Sequence, residues 1–236
     1  DLWKEDKKTE TNEVMFALQH SAKHKIASNY GKSYYPSDYS PNAGWADYYG
    51  NEDFFKAYPN DDRKEWNYMT EWKIKSGEII PYTESADKLP AISKYYDYDE
   101  GAPGKSAQSN GITCIYRYAE VLLMYAEAST RATNSVNQDA LNAIQEVQKR
   151  AGYQDRQIEL TTTTEPTAFL AAVSNERGWE FFAEMKRWFE LVRLEKVKEV
   201  RAEEWDASTF NTNHHYYFPV PYQQVDLAGW TNNAGY

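Results

Sequence analysis

The stretch Ile115 to Ala128, IYRYAEVLLMYAEA, decides the fold of this chain. Its apolar residues recur at i, i+3, i+4, i+7, i+8 and i+11, a spacing that aligns side chains on one face of an α-helix. They are Ile115, Tyr118, Ala119, Leu122, Leu123 and Ala126. The same stretch contains Arg117, Glu120 and Glu127, and burying an ion without a partner costs several kcal/mol. The sequence therefore predicts a packed helix whose charged residues have partners elsewhere in the chain.

A second helical segment, from Asn175 to Arg193, contains candidate partners. It mixes large aromatic residues with arginines and glutamates at helical spacing, in NERGWEFF and KRWFELVR. Buried ions are normally tolerated in pairs. We therefore expect one structural ion-pair network, with the members Arg117, Glu120, Glu127, Glu176, Arg177, Glu180, Arg187 and Arg193.

A catalytic role for these carboxylates is the rival interpretation. Glu120 and Glu127 are seven residues apart, which is about 10.5 Å along a helix axis. Retaining glycosidases need carboxyl groups about 5 to 5.5 Å apart and inverting ones about 6.5 to 9.5 Å apart, so this pair suits neither. Glu176 and Glu180 are closer, but Arg177 lies between them. The pattern favours a structural role, and we expect no enzyme activity.

Together these segments resemble the C-terminal half of the SusD/RagB family. Other motifs follow in the same order: DDR at 61–63, KY at 94–95, QKRAG at 148–152, YFPVP at 217–221 and NNAGY at 232–236. The resemblance spans nearly the whole chain. It implies a mostly α fold of tetratricopeptide-like helix pairs, an α-α superhelix, with long irregular loops and a few short strands.

The chain divides by composition into two regions of one expected domain, residues 1–236. Residues 1–110 are rich in aromatic and turn-forming residues, and residues 111–236 are expected to form a helical scaffold and an irregular C-terminal tail. Asn137 is expected to cap a second helix that stops at Gly152. Pro166 marks the start of a third helix, which we expect to run to about Arg193 with a break near Met185.

Two short strand patterns precede the helices. Val14 to Leu18 is a continuous apolar run, which predicts a strand buried on both faces. Trp72 and Ile74 alternate with lysines, and Ser76-Gly77 could close a hairpin onto Ile79-Ile80.

Composition excludes some classes of function. The formal net charge of the 236 residues is −10, which argues against nucleic-acid binding, because that binding depends on Lys and Arg. Cys114 is the single cysteine, so we expect a buried structural thiol and no internal disulfide. No run of about 18 apolar residues predicts a membrane-spanning helix. The resemblance implies a lipid anchor on the intact protein, and we expect that anchor to be absent from this portion.

Metal and cofactor sites are not expected. His20 and His24 lack the intervening glutamate of a zinc-protease motif, and His214 and His215 are adjacent, so they would face opposite sides of a strand. The acidic run that contains Asp97, Asp99 and Glu100 lacks the twelve-residue loop of a calcium site.

Aromatic residues are concentrated between Tyr30 and Trp72, at about twice the chain's 16% aromatic content. Tyr and Trp combine a flat apolar body with a polar tip, which suits a pyranose ring. Gly44 and Gly50 bracket a turn tip, and the predicted ligand-binding residues around it are Trp45, Tyr48, Tyr49, Tyr34, Tyr35, Asn42 and Asp47. For any single ring, anchoring of the loop to the scaffold is the favoured alternative.

The resemblance implies a function on the cell surface. Members bind glycans at the outer membrane and deliver them to a SusC-like TonB-dependent transporter, so an oligosaccharide or polysaccharide and that transporter are the implied partners. Two alternatives stay open. The portion could be a structural and interaction module that docks the transporter without a glycan site of its own, or the cargo could be a peptide.

Overall fold

The structure is a computed structural model, and it describes residues 2–3, 7–21, 23–40, 43–95, 109–200 and 212–236. The chain forms two compact units, Asp1–Glu184 and Met185–Tyr236. The elements of the first unit are β1 (Val14–Gln19), α1 (Tyr30–Tyr34), α2 (Glu52–Ala57), α3 (Asp62–Asn67), β2 (Tyr68–Met69), β3 (Glu71–Lys73), β4 (Ile79–Pro81), a 3-10 turn (Tyr82–Glu84), β5 (Ala91–Ile92), β6 (Ile112–Arg117), α4 (Tyr118–Thr133), α5 (Gln138–Arg150) and α6 (Pro166–Glu180). Those of the second are α7 (Arg187–Arg193), α8 (Val197–Val200), α9 (Thr212–His215) and α10 (Tyr222–Ala228).

Helices α4, α5 and α6 form the core of the first unit. Helix α4 packs on both of the others, and its small residues Ala119 and Ala126 allow close approach. Leu123, Ile144 and Phe169 are fully buried between the helices. Burial of each large apolar side chain contributes about 1.5–3 kcal/mol, so this cluster stabilises the scaffold.

Local caps define the ends of these helices. The Asn137 side chain accepts a hydrogen bond of 2.7 Å from the Ala140 amide at the start of α5, and Gly152 follows α5 with φ of 83°. Both predictions are confirmed. Pro166 begins α6 as predicted, and the carboxylate of Glu165 accepts from the amides of residues 167 and 168. These bonds satisfy amides that have no partner inside the helix.

The predicted start of α4 at Ile115 is wrong. Ile115, Tyr116 and Arg117 belong to β6, which pairs antiparallel with β1. Arg117 is extended (φ −142°, ψ 159°), and the amide of Tyr118 donates to the carbonyl of Glu13 at 2.8 Å. Strand pairing with a distant segment therefore overrides the helical spacing of these three residues.

Strand β1 exists as predicted, but it is not buried on both faces. Met15, Phe16 and Leu18 are more than half exposed, and among the described strands β1 pairs with β6 alone, in a two-stranded ribbon. The predicted hairpin is confirmed: Trp72 of β3 pairs with Ile80 of β4, and Gly77 in the turn has φ of 92°.

The segment after α6 breaks as predicted, although over more residues. Helix α6 ends at Glu180 and α7 begins at Arg187. Ala183 and Met185 between them have φ of 58° and 60°, a left-handed conformation that a continuing helix does not allow. Within the described residues, no helix has both the length and the apolar character needed to cross a bilayer.

Candidate functional site

The loop at residues 43–50 follows α1 and is held to it by its backbone. The Trp45 amide donates to the Lys32 carbonyl at 2.7 Å, and the Asp47 amide donates to the Ser33 carbonyl at 2.9 Å. The Ala46 amide donates to the Tyr35 carbonyl at 3.1 Å. The loop therefore has a defined conformation without a helix or strand of its own.

Two glycines permit this close packing. A Cβ on Gly44 would collide with the carbonyl oxygen of Tyr35, and a Cβ on Gly50 would lie 2.5 Å from a ring carbon of Tyr68. Both positions thus need glycine because of a close approach rather than a left-handed backbone.

Two aromatic rings of this loop face solvent. Trp45 is 51% exposed and Tyr48 is 61% exposed. The Nζ of Lys32 lies 4.8 Å from the centre of the Trp45 ring, and the Tyr48 ring centre lies 5.8 Å from that of Tyr34. Asp47 between them is also exposed. We name Trp45, Asp47 and Tyr48 the aromatic tip.

Tyr34 and Tyr35, two of the predicted ligand-binding residues, are both buried and do not present their rings to solvent. Tyr34 belongs to a small core cluster with Ile92 and Tyr95, and its ring stacks on Tyr95 at 5.7 Å. Burial raises the pKa of Tyr34 to about 12. These residues anchor the loop, which is the alternative weighed for any single ring.

The remaining predicted ligand-binding residues lie beside the tip or outside the described residues. Tyr49 is partly buried, and its hydroxyl donates to the carboxylate of Asp87. Burial and this hydrogen bond raise its pKa well above the usual value. Asn42 lies outside the described residues.

The buried charges converge on Glu180, in the last turn of α6. The guanidinium groups of Arg117 and Arg150 both donate to its Oε1. Nη1 of Arg63 donates to its Oε2 at 2.8 Å. Arg63 is oriented by Asp61, which caps α3 and accepts from its Nε at 3.0 Å. Three arginines from separate elements therefore meet at one carboxylate.

Neighbouring carboxylates extend this cluster. Glu184 accepts from Arg117 at 2.7 and 3.0 Å and from Lys94 at 2.6 Å. Glu13 bridges Arg117 at 2.6 Å and Arg150 at 2.5 Å. Glu176 accepts from Arg63 at 2.6 Å. We name these residues the central ion cluster: Glu13, Asp61, Arg63, Lys94, Arg117, Arg150, Glu176, Glu180 and Glu184.

The protonation states follow from these contacts. Burial alone would raise the pKa of Glu180, but Arg117 and the other two arginines hold it well below its usual range. Arg117 and Lys94 likewise lower the pKa of Glu184 against the effect of burial. Burial raises the pKa of Glu176 in spite of Arg63. Glu180 and Glu184 are therefore anions that serve as fixed acceptors.

Other residues of the predicted network lie in separate pairs. Arg177 is 3.8 Å from Glu120, and Glu127 pairs with Arg131 of the same helix at 2.8 Å. In the second unit Arg187 pairs with Glu190 at 2.9 Å, and Arg193 is exposed at the end of α7. Arg117, Glu176 and Glu180 are thus the predicted members that meet in the central ion cluster.

Six members of the cluster were not among the predicted network residues: Glu13, Asp61, Arg63, Lys94, Arg150 and Glu184. Asp61, Arg63, Lys94 and Arg150 lie in motifs that carry the family resemblance, so those motifs could have indicated these four residues.

A cavity of about 670 Å³ opens beside the cluster and is lined in part by Trp66 and Arg150. The carboxylates that line it include Glu13 and Glu180, and both are held in ion pairs.

The histidines and the cysteine have ordinary contacts. His20 contacts the hydroxyl of Thr113 through Nε2 at 2.8 Å, and Nδ1 of His214 is 2.8 Å from the carbonyl oxygen of Gly235. Burial raises the pKa of Cys114 to about 12, so it is a thiol at neutral pH. Asp97, Asp99 and Glu100 lie outside the described residues. Within the described part of the chain, no group of three or more His, Cys, Asp or Glu side chains is placed to hold a metal ion.

Comparison with known proteins decides the family. The model of the SusD family matches residues 68–236, which include most of the central ion cluster. The chain belongs to the SusD family. The SusD-like protein P2 of Formosa agariphila is 28% identical to it over 200 residues, covering 77% of this chain and 39% of that protein.

Solved structures of SusD proteins share the fold. A SusD superfamily protein from Parabacteroides distasonis superposes with a TM-score of 0.77 at 23% identity, covering 99% of this chain and 52% of that one. Surface glycan-binding protein A from Bacteroides thetaiotaomicron, solved in complex with laminarihexaose, superposes with a TM-score of 0.62 at 23% identity. It aligns with 94% of this chain and 52% of its own length.

The prediction of a mostly α, tetratricopeptide-like fold is confirmed by these SusD neighbours and by the helical core. The chain spans about half the length of these solved SusD proteins and 39% of the curated Formosa protein.

Proposed function

We propose that this chain is part of a non-catalytic, cell-surface glycan-binding protein, and that the aromatic tip stacks on the sugar. The observation that carries the proposal is the pair of exposed rings, Trp45 and Tyr48, on a conformationally defined loop of a SusD family chain. The laminarihexaose complex of the Bacteroides thetaiotaomicron relative supports an oligosaccharide as the ligand class.

The chemistry of the tip suits a sugar. An indole or phenol face packs against the C–H face of a pyranose, and the Asp47 carboxylate between the two rings can accept hydrogen bonds from hydroxyl groups. Two rings contribute about 0.5 to 1.5 kcal/mol each beyond area burial. After the cost of ordering the ligand, the expected affinity is nearer millimolar than nanomolar.

Isothermal titration of the 236-residue chain tests this site. The ligands are laminarihexaose and a panel of other hexasaccharides. We expect Trp45→Ala and Tyr48→Ala each to weaken binding by about 3- to 10-fold, corresponding to the loss of one stacked ring. The matched control is Trp66→Ala, because Trp66 is similarly exposed but lies on α3, outside the tip.

The outcomes separate the alternatives. Unchanged affinity in both tip variants contradicts the assignment of the tip. Binding by a longer SusD protein that contains this portion, without binding by the portion itself, favours a structural and interaction module. Binding of oligopeptides instead of hexasaccharides favours peptide cargo.

The non-catalytic part of the proposal rests on the carboxylates. Glu180 is held by three arginines, and Glu176 and Glu184 are each paired, so all three carboxyl groups are occupied as ion-pair acceptors. We expect no new reducing ends when the chain is incubated with laminarihexaose. A measurable rate of hydrolysis that is lost in Glu180→Gln would contradict this.

The family resemblance supports the remaining assignments. We propose an outer-membrane, cell-surface location and a SusC-like TonB-dependent transporter as the partner. Co-purification with such a transporter from outer-membrane fractions tests both, and recovery of the protein in the cytosol alone contradicts them.

A further inference from the structure

Helix α4 has a second apolar face that points away from the core. Tyr118, Val121, Met124 and Tyr125 are each between 37% and 48% exposed. At about 100° per residue these four span an arc of about 120° on the side opposite the buried Leu123. A helix that is apolar on opposite sides is typical of one that is covered on both.

The β1–β6 ribbon continues this surface. Phe16 is paired with Tyr116 across the two strands, so both rings lie on the same face of the ribbon, and both are more than half exposed. Because Arg117 is extended, Tyr116 and Tyr118 leave the backbone on the same side. We name Phe16, Tyr116, Tyr118, Val121, Met124 and Tyr125 the outer apolar face.

The size of this face is at the upper end of what a monomer usually exposes. Large side chains offer about 150–250 Å² each, so six that are about half exposed present roughly 600 Å². The largest apolar patch of a typical monomer is about 300–600 Å² and is often functional, and one side of a standard protein interface is about 800 Å². None of the six side chains carries a charge at neutral pH, so the face suits an apolar partner surface.

The matched SusD structures indicate the occupant. This chain aligns along nearly its whole length with about half of the Parabacteroides distasonis protein. Stacked helix pairs bury their apolar faces only against neighbouring pairs. We propose that the outer apolar face is the docking surface for apolar helices from the half of the SusD fold that lies outside the matched portion.

A chimera provides the test. These 236 residues replace the matched half of the Parabacteroides distasonis protein, so the complementary half is present on the same polypeptide. The double variant Val121→Glu/Tyr125→Glu places two carboxylates on the outer apolar face. Ile79→Glu is the matched control, because Ile79 is an exposed apolar residue on β4, outside this face.

In the chimera we expect the double variant to lower the thermal midpoint by at least about 5 °C and the control to leave it within about 2 °C. In the 236-residue chain alone the double variant should change the midpoint by less than about 2 °C, because its target side chains are exposed there. It should also reduce the fluorescence of bound bis-ANS by at least about twofold.

Several results would overturn the proposal. Equal sensitivity of the two proteins to the double variant, or a chimera that shows no cooperative unfolding, removes the complementary half as the occupant. Sedimentation that shows the 236-residue chain to be a dimer, dissociated by the double variant, assigns the face to a second copy of the chain.

Discussion

At the scale of single residues, Arg117 has the largest structural role that the contacts reveal. It is buried, and its guanidinium donates to the carboxylates of Glu13, Glu180 and Glu184. Its side chain also lies 4.6 Å from the ring centre of Phe181. A buried ion pair adds little net stability compared with apolar residues of similar size. Removal of one partner, however, leaves the other charge buried without compensation.

Arg117→Met is therefore expected to lower the free energy of unfolding by about 3–5 kcal/mol. Urea denaturation followed by circular dichroism measures the change. Arg156→Met is the control, because Arg156 pairs with Asp62 and Glu65 and all three side chains reach solvent, so its loss should change the free energy of unfolding much less than the loss of Arg117. Equal losses in the two variants would show that the cluster does not depend on Arg117.

At the scale of elements, the helix boundaries that could be predicted are those set by hydrogen bonds between residues close together in the sequence. Helix α5 begins at the Asn137 cap and ends before Gly152, and both signals lie within a few residues of the bonds they make. The start of α4 was not predictable in the same way. It depends on the pairing of β6 with β1, whose residues are about one hundred positions away in the sequence, and no local pattern encodes that contact.

The cap of α5 gives a prediction at this scale. Asn137→Ala removes the acceptor of the Ala140 amide and should cost about 0.5–2 kcal/mol of stability. Thermal or urea unfolding measures it. Asn142→Ala, an exposed substitution inside the same helix, should change stability by no more than about 0.5 kcal/mol. A cap variant as stable as wild type would mean that the amide finds another acceptor.

At the scale of the whole molecule, the central ion cluster links α3, α5, α6 and the start of β1, so it couples stability to pH. The pKa values of Glu180 and Glu184 are lowered in the folded chain. Their contribution is fully present above the unfolded pKa of about 4.3 and is lost as the pH falls through the lower folded values. The raised pKa of Glu176 acts in the opposite direction and offsets part of this loss.

We expect the free energy of unfolding to fall between pH 6 and pH 3, and Glu184→Gln to make that fall smaller, because it removes one carboxyl group whose pKa is lowered by folding. Urea midpoints at a series of pH values measure the difference. Glu146→Gln removes the same charge at an exposed position of α5. It should leave the dependence of the unfolding free energy on pH as in the wild type. If Glu184→Gln and the wild type show the same dependence of unfolding free energy on pH, the pKa of Glu184 is not lowered by folding.

The candidate site shows the same division between local and distant contacts. The excess of aromatic residues and the two bracketing glycines predicted a turn with rings around residues 43–50, because turn chemistry is local. Which of these rings reach solvent does not depend on local sequence. Tyr34 and Tyr35 are buried in the folded chain and Trp45 and Tyr48 are not, although all four residues are equally suited to stacking.

The sequence by itself determined the helical scaffold, its caps, the hairpin and the presence of charges that need partners, since periodicity and capping operate within a few residues. Only the tertiary structure decided that β6 precedes α4, that Glu180 receives three arginines and that α4 exposes a second apolar face. The physical reason is that each of these depends on segments far apart in the chain, whose meeting is governed by packing and burial of the whole unit.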